Sequence, residues 1–146
     1  MTQKSLADIA AKMRGIDIAM LSTKTEGGEI ASRPMSNNGD VDYDGDSYFF
    51  TWDASRVVAD IEGDDRVSLA FSVEPGLLDG AGLFVAVEGK AAVIRDKAQF
   101  KTHWTPDLEV WFQQGIDTPG LVLLQVHARR IKYWEGEDEG EIEIAG

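Results

Sequence analysis

The chain has 146 residues, a formal net charge of −12 and a pI near 4.4. That length fits one domain, residues 1–146, with a sizeable core. The charge repels nucleic acid and anionic membranes, because binding there needs Lys and Arg to displace counterions. The sequence has no cysteine, which excludes disulfides, thiolate catalysis and Cys-zinc sites. No apolar run approaches the roughly 20 residues that span a bilayer. Met1-Thr2-Gln3-Lys4 lacks the apolar core of a signal peptide, so a cytoplasmic location is expected.

Ser5-Leu6-Ala7-Asp8 reads as a helix N-cap with an acid in the first turn. Leu6, Ile9, Ala10 and Met13 recur at helical spacing, and Gly15 ends the run. Ile16 to Thr23 is a short apolar run rich in strand formers. Glu26-Gly27-Gly28-Glu29 is a turn, and Ile30 to Met35 returns as the second strand of a hairpin. An acidic turn runs from Asn37 to Asp46. Ser47 to Trp52 is the next strand, and Asp53-Ala54-Ser55-Arg56 opens a helix whose face carries Val57, Val58 and Ile61.

Arg66 to Val73 alternates as a strand, and Glu74-Pro75-Gly76 turns it. A loop continues through Asp79-Gly80-Ala81-Gly82. Leu83 to Ile94 is a long apolar strand interrupted at Glu88-Gly89-Lys90. A glycine there predicts a bulge or a close backbone approach. Asp96 to Trp104 reads as a helix with Ala98 and Phe100 inward. Thr105-Pro106-Asp107 has the signature of another helix start, with Trp111 and Phe112 on it and Gly115 as its stop. Leu121 to His127 is a strand that resumes at Ile131 to Trp134, past Ala128-Arg129-Arg130. The acids from Glu135 to Glu143 read as a solvated tail or edge. Some six strands with a few short helices between them predict a β-barrel with α insertions.

Asp40 to Asp46 matches the opening of an EF-hand loop, but Thr51 stands where a bidentate Glu belongs. A hairpin turn is the better reading, and no metal is expected. His103 and His127 are the only histidines, too isolated for a metal cluster. Trp52, Trp104, Trp111 and Trp134 either pack or stack on a planar ring. Arg33 with Thr51, Ser55 and Arg56 is the strongest constellation. A phosphate takes charge-assisted donors, hydroxyls and helix N-terminal N–H groups. From spacing alone, plain surface arginines account for the same residues equally well.

At these residues the sequence resembles the pyridoxamine 5′-phosphate oxidase-like FMN-binding split-barrel family, in its general stress protein 26 branch. The resemblance covers nearly the whole chain. It rests on Ile18 to Thr23, Ser32-Arg33-Pro34-Met35, Tyr48-Phe49-Phe50-Thr51 with Ser55-Arg56, Val87-Glu88-Gly89-Lys90-Ala91, Trp111-Phe112, Asp117-Thr118-Pro119-Gly120-Leu121 and Tyr133-Trp134. It implies a mainly β, α+β fold: a six-stranded antiparallel split barrel with short helices, forming a homodimer with FMN at the interface. Carried over, Arg33, Pro34 and Met35 line the cofactor, Phe50 and Thr51 flank it, and Ser55 and Arg56 hold its phosphate. Trp134 and Trp111 approach the flavin.

Relatives often have a lysine after that arginine; Val57 stands there, so part of the phosphate charge is missing. The resemblance implies flavin-dependent redox activity with a nicotinamide as candidate reductant, catalytic residues unassigned. A non-enzymatic FMN-binding, storage or sensor module is the alternative. A pyridoxamine 5′-phosphate oxidase is disfavoured, because Glu137-Asp138-Glu139-Gly140-Glu141 would repel a phosphorylated substrate.

Overall fold

The computed structural model describes residues 4–37, 43–76 and 82–144. Among these residues seven strands form one antiparallel sheet: β1 (Ile18–Lys24), β2 (Ile30–Ser36), β3 (Asp46–Trp52), β4 (Arg66–Val73), β5 (Leu83–Ile94), β6 (Leu121–Glu135) and β7 (Asp138–Glu143). They are accompanied, among the described residues, by the helices α1 (Leu6–Met13), α2 (Arg56–Gly63) and α3 (Lys97–His103). The strand order is β2-β1-β4-β5-β6-β3, with β7 also on β6. Consecutive strands β2 and β3 therefore end the path, and among the described residues no ladder joins them. Yet Met35 of β2 and Phe49 of β3 are buried in the same core cluster. The sheet has curled so that its two ends face one interior. This is the expected split barrel.

Most strands follow the period-2 pattern, one face to the core and one to solvent. The first half of β6 does not: Leu121, Val122, Leu123 and Leu124 are all buried. Val122 and Leu124 face the barrel interior. Leu121 and Leu123 face a second cluster built from Phe100, Leu108 and Phe112. Segment 97–117 thus covers the outside of β6, and Phe50 of β3 packs into it edge-on to Phe100 and Trp104.

The helices are short, and an isolated helix of this length is marginal in water. Packing holds them. α2 buries Val57, Val58 and Ile61 in the main core. α1 buries Ile9 and Met13 there, and a capping box between Ser5 and Asp8 closes its N-terminus.

Three places differ from the pattern expected of the sequence. The Thr105-Pro106 start leads into two 3₁₀ turns, Pro106–Val110 and Gly115–Asp117, and the Thr105 side chain caps nothing. Trp111 lies past the first turn. Ala98 is exposed on α3, and Phe100 alone of that pair is buried. The acidic C-terminal stretch is strand β7, paired with Arg130 to Glu135. Its glycine has a steric purpose: a Cβ at Gly140 would collide with the ring of Tyr133, which is buried and accepts a hydrogen bond from the Lys4 backbone N–H. Residues 38–42, carrying most of the acidic turn and the start of the calcium-loop match, lie outside the described residues. So does the stretch Asp79-Gly80-Ala81.

The Gly89 expectation holds in both its forms. The β5–β6 register shifts between Glu88 and Gly89: Glu88 faces Arg130, Gly89 faces Ala128, and Arg129 is skipped. A Cβ at Gly89 would press on the carbonyl oxygen of His127. Backbone cannot swing aside as a side chain can. Gly89→Ala should therefore destabilise the fold by about 1–3 kcal/mol, read as a lower urea midpoint.

Candidate functional site

Strand β3 leads directly into α2. The Asp53 N–H donates to the Gly120 carbonyl and the Ser55 N–H to the Trp52 carbonyl, which fixes the corner between them. Ser55 is the N-cap residue, but its side chain makes no cap bond. Its Oγ is buried without a partner. The first turn of α2 contains no acid, unlike that of α1, where Asp8 stands. Arg56 follows, exposed and with no ion pair among the described residues. A helix N-terminus carries unsatisfied N–H groups and partial positive charge. Here an orphaned hydroxyl and an unpaired guanidinium are added to it.

Arg33 is placed differently. Its Nη1 donates to Thr23 Oγ1 at 2.7 Å and to the Leu21 carbonyl at 3.4 Å, and its Nη2 lies 3.4 Å from Asp60 Oδ2. Thr23 also donates to that Asp60 oxygen at 2.7 Å. Both Thr23 and Asp60 are buried. The arrangement ties edge strand β2, strand β1 and helix α2 together through one half-buried guanidinium. Asp60 lies one helical turn beyond Arg56.

Val57 is buried in the main core, so residue 57 points away from the open side of α2. The open side carries a groove between α2 and the β1–β2 turn, lined by Lys24 and Arg56 with Glu26, Asp60 and Asp64. Lys24 was not singled out from sequence. It is an ordinary strand-end lysine there, and only the fold brings it beside Arg56's groove. Asp64 accepts from Arg66 at 2.7 and 3.0 Å, and these bonds hold its carboxyl well below the usual carboxylate range.

Among the remaining site residues, Pro34 is exposed on β2 and Met35 is in the core. Phe50 packs in the second cluster and Thr51 is half-buried beside it on β3. Trp111 is 68% exposed and Trp134 39%. Trp104 is a packing residue, edge-on to Phe50 with ring centroids 5.0 Å apart. Trp52 leans on Phe112. The histidines go to separate partners. His127 Nδ1 is 2.6 Å from Asp46 Oδ1. The His103 ring stacks on Tyr48 at 3.6 Å, where burial lowers its pKa. Among the described residues no group of three or more His, Asp or Glu could hold a metal. No helix among them is long and apolar enough to cross a membrane.

Fold and sequence agree on the family. The family model described as pyridoxamine 5′-phosphate oxidase like matches residues 4–145, and the chain belongs to that family. Solved structures share the fold. A protein related to general stress protein 26 from Clostridium acetobutylicum aligns at TM-score 0.77 and 22% identity, covering 99% of this chain and 97% of that one. General stress protein 26 from Bacillus anthracis aligns at 0.73 and 23%, covering 93% and 95%. The general stress FMN/FAD binding protein from Xanthomonas citri aligns at 0.73 and 25%, covering 97% and 93%. No curated protein matches the sequence.

Removing the Asp60 carboxylate charge would leave Arg33 and Thr23 short of a buried acceptor. Asp60→Asn should cost about 1.5–3 kcal/mol of stability, the range for hydrogen bonds to charged groups. Chemical denaturation of the two proteins measures it.

Proposed function

We propose that the protein is an FMN-binding flavoprotein of the general stress type, with the phosphate of the cofactor at the N-terminus of α2. The observation that carries this is the uncapped Ser55 hydroxyl, buried without a partner beside unpaired Arg56. A phosphate would satisfy the hydroxyl, the free N–H groups and the guanidinium together. Arg33 is tied to Asp60 and Thr23, and its role toward the cofactor is to fix β2, so that the backbone at Pro34 and Met35 lies along the flavin. Phe50 and Thr51 border the ring from β3, and the exposed faces of Trp111 and Trp134 are available to stack on it.

FMN would supply hydride or electron chemistry when bound, with a nicotinamide as the candidate reductant. Binding without turnover, as a store or sensor, is the alternative. A phosphorylated substrate near Trp134 is disfavoured, because Glu139 stands directly opposite it on β7.

The outer face of the sheet supports a homodimer. Ile18, Met20, Phe84 and Trp134 are 55, 40, 51 and 39% exposed. Register sets Met20 opposite Ala70, and Ala70 opposite Ala86. The row beside it sets Ser72 opposite Phe84, and Phe84 opposite Trp134. Contiguous apolar surface of this kind marks an interaction site, and a second copy of the chain is the partner proposed, with the flavin between the two.

Fluorescence titration with FMN tests the cofactor. Arg56→Ala should weaken binding roughly tenfold or more, the loss of one charge-assisted contact. Equal affinity in wild type and Arg56→Ala would remove the phosphate assignment, and no binding in the wild type would remove the cofactor. Sedimentation tests the assembly: Phe84→Glu should convert a dimer to monomers and release flavin at the same time. A wild-type monomer that still binds FMN would refute the interface.

A further inference from the structure

We infer that the groove over the Gly89 bulge is a second anion site, distinct from the N-terminus of α2, that takes a small phosphate-bearing molecule. The groove has a volume of about 1030 Å³, large enough for a nucleotide-sized ligand by the usual span of such sites, about 300–1,000 Å³. Lys24, Arg66, Lys90, Arg129 and Arg130 all line it. These are five of the fourteen Lys and Arg in a chain that carries 26 acids. The only acids on its wall, among the described residues, are Asp64, Glu88 and Glu143. A protein of strongly negative overall charge has gathered a local positive excess in one place.

The bulge creates this excess. In a regular strand Arg129 and Arg130 would point to opposite faces of the sheet. The register shift at Gly89 skips Arg129, and both arginines are exposed while Ala128 and Ile131 on either side are buried. A bulge re-aims a side chain at the cost of a ladder position. On the neighbouring pair of strands Arg66 stands directly opposite Lys90, and like charges directly opposite are destabilising. Arg66 is relieved by Asp64, and Arg130 lies 3.5 Å from both Glu88 and Glu141. Lys90 and Arg129 have no carboxylate within ion-pair distance among the described residues. Two uncompensated cations on adjacent strands, with the Ser68 hydroxyl and the aliphatic side chains of Ile30 and Ile144 on the same wall, suit a phosphate joined to a small organic group. Uncompensated charge here costs stability in the free protein and is relieved when an anion binds.

Inorganic pyrophosphate is the probe, titrated into the full chain by calorimetry at low salt. The wild type should show saturable binding that weakens as salt rises to 0.15 M, where the screening length is about 8 Å. Lys90→Ala and Arg129→Ala each change an exposed side chain and should fold normally, with circular dichroism as the control. Each should weaken binding about tenfold, the loss of one charge-assisted contact. Absence of saturable binding to the wild type would overturn the inference. So would wild-type affinity in the Lys90 and Arg129 variants.

Discussion

The structure depends on one strand that has no free edge. β6 pairs with β5 from Leu123 to Glu135 on one side, broken only at the Arg129 bulge. Its other side is divided, with β3 on Leu121 to His127 and β7 on Arg130 to Glu135. Every backbone donor and acceptor in a buried strand needs a partner, and β6 finds them in two strands distant in the chain, β3 and β5, and in β7, which follows it directly. Its first half is also covered on both faces. The barrel core lies on one side and the aromatic layer of Phe100, Leu108 and Phe112 on the other. Shifting this strand would displace the barrel closure and the outer layer together.

The opposite end of the sheet is held by charge instead. β2 is an edge strand with only β1 beside it. The Arg33 guanidinium spans β2, Thr23 of β1 and Asp60 of α2. The carboxylate is buried and would be costly alone. The arginine and threonine that satisfy it also orient α2. The helix's own N-terminus is left unsatisfied, with no cap bond and no acid. The helix is therefore anchored through Asp60, and its N-terminus is left open to accept something from outside.

Strand periodicity made most of the fold legible in the sequence. Arg66 to Val73 and Leu83 to Ile94 are strands over those same residues, because alternation and turn residues agree there. Gly89 was legible because a glycine weakens an apolar strand unless a bulge or a close backbone approach requires it. Thr105-Pro106-Asp107 misled, since cap chemistry marks a helical start without deciding between a 3₁₀ and an α continuation. β7 was hidden because its outward residues are glutamates and its inward ones include Gly140, whose value lies in making room for Tyr133. Ser55 and Arg56 could be named from sequence, but not the absence of a cap bond that gives them meaning. The partner of Arg33 was out of reach, because Asp60 lies 27 residues away and on a helix face that periodicity assigns simply as buried. Lys24 carried no signal at all.

The clasp at Tyr133 has a dynamic consequence. Its buried phenol takes the Lys4 N–H, Gly140 of β7 lies against its ring, and Lys4 and Lys12 both reach Glu135. The first helix and the last strand thus rest on the same short stretch of β6. Neither can lift away without uncovering an aromatic ring and loosening the other. The two sequence-distant ends form a single cooperative opening unit, and their amides would exchange with solvent water together.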